Sequence, residues 1–166
     1  MMKYRTLDTA AGPFTLVVNR VGAVRAAGFT PDVNDLLPLI HPLLSGRAEP
    51  ADDVGPAAGL IRSYFDGDRT ALDSVEVEQH SSGEFMRYAW KVMRDIKPGS
   101  PVTYTEFARL SGRPAAVRGA ASACARNPVA LITPCHRVLR TDGSLGGYRW
   151  GLPVKRLLLD FEEAAS

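Results

Sequence analysis

Residues 103–128 read TYTEFARLSGRPAAVRGAASACARNP, and two short helices joined by a tight turn are written into them. Thr103 offers a hydroxyl to the free backbone N–H groups of a helix start, and Glu106 three residues on completes a capping box. A helix is predicted over Tyr104–Leu110. Ser111-Gly112-Arg113-Pro114 is a turn, because glycine adopts the left-handed backbone easily and proline cannot continue a helix. A second helix is predicted over Ala115–Arg126, closed by Asn127-Pro128. Its six alanines and Gly119 leave little bulk, so it can approach another surface closely. Arg113, Arg118 and Arg126 make it basic. Helix, glycine-containing turn and small-residue helix form a helix-turn-helix pattern, one that plain helical hairpins share.

Upstream, Phe85, Tyr88, Ala89, Val92, Met93 and Ile96 recur at helical spacing, so a helix is predicted over Glu84–Ile96 with Trp90 in the core. Lys97-Pro98-Gly99 stops it. Polar Gln79–Gly83 reads as a link, dividing the chain into residues 1–80 and 81–166. In the first part, Lys3–Asp8, Pro13–Asn19 and Ala23–Thr30 predict an antiparallel meander. A short helix follows at Val33–Leu44, a second at Ala57–Phe65 and a strand at Asp73–Val77. Downstream of the turn pattern, Val129–Thr133 is a short apolar run and Thr141-Asp142-Gly143 a hairpin-like turn. A last helix is predicted over Pro153–Glu163, with Val154, Leu157, Leu158 and Phe161 inward. The fold class is α+β: a small N-terminal α/β domain with antiparallel strands, and a mostly helical, winged-helix-like C-terminal domain.

The chain has 166 residues, of which 45% are hydrophobic and 23% charged, enough to build a core. It contains no apolar run long enough to span a bilayer and no signal-peptide pattern near Met1, so a cytoplasmic protein is expected. Residues 1–83 carry 7 Lys/Arg and 11 Asp/Glu, and residues 84–166 carry 13 and 7. A net of −4 against +6 places the positive charge on the half that holds the helix-turn-helix pattern, as a polyanion-binding module requires. Cys124 and Cys135, with His41, His80 and His136, show no zinc-site spacing, and no metal is expected. His41 and His80 read as solvated surface side chains.

Pro134-Cys135-His136-Arg137-Val138 is where chemistry concentrates. The thiolate is the reactive form of cysteine, and a thiol beside histidine and arginine is a recognised activated nucleophile. Neighbours in an extended segment point to opposite faces, so His136 needs a turn or a bridging water to take the Cys135 proton. A carboxylate is the usual group to orient the imidazole, and Glu162 is one candidate. The residues alone leave Cys135 open between a nucleophile and a buried packing cysteine. Cys124 reads as a small packing residue, with a second acceptor role as the alternative.

The pentapeptide at 134–138 resembles the active-site motif of the O6-alkylguanine-DNA alkyltransferases, and its surroundings agree in register. Asn127, eight residues before Cys135, matches the family's hinge asparagine. Arg118, nine before Asn127, matches its arginine finger. Tyr104, fourteen before Arg118, matches the tyrosine that opens the helix-turn-helix, and Tyr148 and Glu162 also fall at the family's spacing. Ala121–Ala125 and Gly146–Gly151 resemble the alkyltransferase domain of the bacterial adaptive-response methyltransferase. The resemblance covers roughly Glu84–Glu162. It departs at Trp150, where many members have glycine, at Ala130, where some have proline, and at Arg118-Gly119-Ala120-Ala121, which replaces Arg-Ala-Val-Gly.

This resemblance implies single-turnover repair, in which an alkyl group moves from O6 of guanine, or O4 of thymine, in double-stranded DNA to Cys135. It implies catalytic roles for Cys135, His136, Glu162, Tyr104 and Asn127. It implies a DNA-binding set of Arg118, Ala115, Ala116, Gly119, Ser122 and Arg126. The pocket would be lined by Tyr104, Val138, Tyr148, Arg149, Trp150 and Ala130. No cofactor, membrane or obligate protein partner is implied, and the chain would act as a monomer. The rival readings are a helix-turn-helix regulator without chemistry and a multiple-turnover cysteine hydrolase.

Overall fold

A computed structural model describes residues 1–164. The described chain divides into two compact units. The first is Met1–His80 with Pro128–Ile132, and the second is Ser81–Asn127 with the chain from Thr133 onward. A short piece of the C-terminal half thus joins the first unit.

In the first unit, β1 (Met2–Thr9), β2 (Gly12–Val18) and β3 (Val24–Gly28) form the meander. Lys3 pairs with Val18 and Thr9 with Gly12 across the antiparallel β1–β2 ladder. Five consecutive residues of β2, Phe14–Val18, are buried, as suits a strand covered on both faces. A strand not anticipated, β4 (Ala48–Pro50), pairs parallel to β1 and gives the order β3-β2-β1-β4. It is three residues long with no alternating apolar pattern, so the sequence carries no signal for it. Val129 bridges to Ala27, with Ala27 N–H donating to the Pro128 carbonyl at 2.9 Å and Ala130 N–H to the Ala27 carbonyl at 3.0 Å. That backbone pairing places Pro128–Ile132 in this unit.

The helix expected at Val33–Leu44 is instead two 3-10 turns, Val33–Asp35 and Leu37–Leu39. Pro38 and Pro42 lack the N–H that an α-helix would need there. Helix α1 spans Ala57–Phe65. Ala71–Ser74 is a further 3-10 turn, and the strand expected at Asp73–Val77 reduces to one bridge between Val77 and Val24. His41 and His80, expected as separate solvated side chains, are half-buried and meet edge-to-face at 4.5 Å.

In the second unit, α2 (Glu84–Met93) stops a turn earlier than expected, with Asp95 and Ile96 continuing in tighter i→i−3 bonds. Helix α3 spans Tyr104–Leu110, and Thr103 Oγ1 accepts from the Glu106 N–H as the capping box requires. Helix α4 spans Val117–Ala125. Ala115 and Ala116 lie in the preceding turn, because Ala116 is off the helical backbone and its N–H bonds the Arg113 carbonyl. Arg126 is the C-cap. Gly119 faces α2: a Cβ there would stand 3.0 Å from Phe85 Cε2, so its smallness serves close helix packing. Arg113 stacks over the same Phe85 ring at 5.3 Å.

The core of this unit gathers Ala89, Trp90, Met93, Phe107, Ala120, Ala123, Cys135 and Val138. Trp90 Nε1–H donates to the Ala123 carbonyl at 2.9 Å, tying α2 to α4. Two short parallel strands, β5 (Val102–Thr103) and β6 (Val138–Leu139), bring the start of α3 beside the residues that follow Cys135. Helix α5 (Leu152–Glu163) closes the unit. Its inward face differs from the expected one: Lys155, Leu158 and Glu162 are buried, Val154 and Phe161 are half-buried, and Leu157 is exposed. An apolar-face reading goes wrong here because the buried stripe carries two charged residues.

Candidate active site

Cys135 opens a single 3-10 turn, Cys135–Arg137, at the end of a bent connection from α4. Pro134, with φ −85° and ψ 68°, lets the Cys135 N–H bond the Thr133 carbonyl two residues back at 2.9 Å. The segment is therefore not extended, and the adjacent Cys135 and His136 side chains are both buried. Asn127, itself buried, donates Nδ2–H to the Thr133 carbonyl at 2.7 Å and so fixes the approach to Cys135.

Behind the thiol lies a buried charged network. His136 Nε2 is 2.9 Å from Glu162 Oε2. Arg137 donates to both carboxylate oxygens, Nε–H to Oε1 and Nη2–H to Oε2, each at 2.9 Å, and Nη1–H to the Ile96 carbonyl at 2.7 Å. Burial alone would raise the Glu162 carboxyl, but the His136 and Arg137 contacts overcome it and hold the group well below the usual carboxylate range. Burial pushes the His136 imidazole down, so it rests neutral. With an ionised acceptor at Nε2, the favoured tautomer carries its proton there and its lone pair on Nδ1. That Nδ1 is buried and makes no hydrogen bond among the described residues.

Cys135, 8% exposed, reaches a cavity of about 280 Å³. Tyr104 from α3, Ala121, Cys124 and Ala125 from α4, Asn127, and the loop Gly147–Trp150 line the remainder. Burial pushes the thiol above its ordinary value, while a hydrogen bond from the Asn127 side chain and the charges of Lys155 and Arg149 pull it down. Burial also raises the Tyr104 phenol, which stays protonated and able to donate. Arg149 Nη2–H donates to the Ala125 carbonyl at 2.9 Å, linking the loop to the last turn of α4. Gly146 lets the loop pass close to Tyr104.

The structure thus brings together Cys135, His136, Glu162, Asn127, Tyr104, Tyr148, Arg149 and Trp150. Val138 instead packs in the core, and Ala130 lies buried in the first unit; neither is on the cavity wall. Arg118 is exposed in the first turn of α4, and Ser122 is half-buried further along it. Two residues escaped the sequence reading. Arg137 was seen only as charge near the thiol, not as the partner of Glu162. Lys155 was not singled out in the sequence, yet it is 1% exposed. The signal for both was available only as charge in an otherwise amphipathic pattern.

A thiol in the wall of a cavity lined by α3 and α4, backed by an imidazole and an ionised carboxylate, defines a candidate reactive-cysteine protein. Comparison with known proteins narrows it. Residues 84–164 match the family described as 6-O-methylguanine DNA methyltransferase, DNA binding domain. The methylated-DNA–protein-cysteine methyltransferase of Mycobacterium tuberculosis is 34% identical over 167 residues, covering 99% of this chain and 94% of that protein. The bifunctional transcriptional activator/DNA repair enzyme Ada of Escherichia coli is 51% identical over 75 residues, 45% of this chain and 21% of that protein. The crystal structure of Mycobacterium tuberculosis OGT in complex with DNA superposes with a TM-score of 0.81 at 28% identity, covering 99% of this chain and 94% of that one. The chain belongs to the methylated-DNA–protein-cysteine methyltransferase family.

Proposed function

We propose that the chain repairs DNA by moving one alkyl group, chiefly methyl, from O6 of guanine to Cys135, with O4-alkylthymine as a second substrate. One observation carries the reading: Cys135 opens onto a cavity walled by α4, with the His136–Glu162 pair buried behind it.

An O6-alkyl group lies inside the stacked duplex, out of reach of any side chain, so the nucleotide must swing out. Arg118, exposed at the start of α4, fills the vacated stack. Unstacking costs a few kcal/mol, which phosphate contacts to the basic half offset. In the cavity, the Tyr104 phenol donates to N3 of the base. His136 takes the Cys135 proton through one water, and Glu162 stabilises the imidazolium that forms. The thiolate attacks the alkyl carbon; the C–S bond forms, the C–O6 bond breaks, and its electron pair leaves with the base, which is reprotonated on the ring. The thioether has no route back, so each molecule acts once. Every group invoked lies in residues 81–164, so one chain suffices.

The test is intact and peptide mass after mixing with duplex DNA containing O6-methylguanine. One added methyl per chain, on the peptide holding Cys135, is expected, and Cys135→Ala takes none. Sustained turnover, no gain in mass, or a methyl on Cys124 overturns the reading.

A further inference from the structure

Lys155 projects from α5 into the second unit and is 1% exposed. Its ammonium donates to the Val138 carbonyl on β6 at 2.9 Å and to the Gly147 carbonyl in the cavity loop at 3.3 Å. No carboxylate pairs with it among the described residues. A buried cation without an anion is costly, and proteins ordinarily retain one only where it is compensated. The ionisable groups whose charge acts with it are Cys135, Cys124, Arg140 and His136. Of these, only the thiols can become anions, and Cys135 is the one whose reaction demands it.

We propose that Lys155 is a positioning residue for the transfer: its buried ammonium ties the Val138 carbonyl on β6 to the Gly147 carbonyl in the cavity loop and stands as counter-ion to the Cys135 thiolate. This rests on the function proposed above and adds a second support to the thiolate, distinct from the His136 relay. The relay accepts the proton; Lys155 stabilises the charge left behind. The other groups acting on that charge are the Asn127 side chain and Arg149, with Tyr104 facing both thiols. Burial raises the thiol and lowers the ammonium; against it, the Lys155 charge pulls the thiol down and the thiolate pulls the ammonium up.

Three variants separate charge from shape. Lys155→Met removes charge and donors, Lys155→Gln keeps a donor without charge, and Lys155→Arg keeps the charge. The readout is the rate of Cys135 carboxamidomethylation by iodoacetamide against pH, followed by peptide mass so that Cys124 is counted separately, in variants whose thermal melts show them folded. The Met and Gln variants should shift the Cys135 profile up by about one pH unit, equivalent to about a tenfold loss of thiolate at neutral pH. Methyl transfer should fall in step, and Lys155→Arg should stay close to the unmodified protein. A purely structural lysine would slow transfer without moving the thiol profile, and that result overturns the proposal. In the unmodified protein, the 15N signal of the Lys155 ammonium should move as Cys135 titrates; a signal indifferent to Cys135 also overturns it. Neither thiol measurement needs alkylated DNA, so failure of the repair reading shows separately as absence of methyl transfer.

Discussion

Glu162 lies 2.9 Å from His136 Nε2, with both side chains wholly buried, while Arg137 clamps both oxygens of the same carboxylate. The carboxylate is thereby committed to one protonation state and the imidazole to one tautomer. Glu162→Gln keeps the shape and removes the charge that stabilises the imidazolium. Separating the thiol proton onto His136 then costs more, so the apparent thiol pKa rises. Since less thiolate forms at a given pH, single-turnover methyl transfer should drop by about tenfold or more at pH 7, one pKa unit being tenfold, and recover as pH is raised toward 9. His136→Ala should behave likewise. Identical pH–rate profiles for variant and unmodified protein would remove the relay from the mechanism.

Gly146, at φ +73°, is buried, and a Cβ there would sit 3.2 Å from the Tyr104 hydroxyl oxygen and 3.4 Å from Arg140 Cγ. Gly146→Ala therefore meets two penalties. Alanine pays about 1 kcal/mol for the left-handed backbone, and its methyl crowds the phenol that must donate to the base. Methyl transfer should slow by about tenfold, more than Tm suffers in proportion, and Tyr104→Phe should show a smaller further loss in the Gly146→Ala background than alone. Additive losses would show that Gly146 acts elsewhere.

Arg118 is exposed at the start of α4. Arg118→Ala should leave Tm unchanged and slow repair of duplex DNA by about a hundredfold, the equivalent of the few kcal/mol that unstacking costs. Reaction with the free modified base, which needs no flipping, should hardly change. Equal losses on both substrates would assign Arg118 to the pocket instead. Binding to duplex should also weaken steeply with added salt.

Trp150 lines the same cavity that Cys135 reaches. A methyl group needs little room; a benzyl group needs an apolar slot. Reaction with O6-benzylguanine should be slow, and Trp150→Gly should accelerate it while leaving methyl transfer nearly unchanged. Ala130→Pro is not a useful companion in this chain, because it would delete the N–H that bonds the Ala27 carbonyl at 3.0 Å. Rapid inactivation of the unmodified protein by O6-benzylguanine would refute the steric account.

Much of this site was legible before any coordinates. Thr103 and Glu106 announced α3 because capping is local, and the cluster at 134–138 stood out as the candidate site because the thiol, imidazole and guanidinium are consecutive. The class α+β followed from periodicity and composition. What failed did so for physical reasons. Pro38 and Pro42 broke a helix that the apolar spacing suggested. Ala48–Pro50 became a strand only because β1 was there to pair with it.

The sequence by itself determined the order of the candidate site residues and the two helices that carry Tyr104 and Arg118, since each depends on neighbours within a few positions. Only the tertiary structure decided which charges are buried. Lys155 and Glu162 sit seven residues apart on one face of α5, and periodicity reads such charges as solvent-facing. Their burial is tolerable only because distant groups meet them: Arg137 and His136 for the carboxylate, the Val138 and Gly147 carbonyls for the ammonium. A partner's identity lies in the chain, but the desolvation that makes the partnership necessary exists only once α5 has packed against the turn at Cys135.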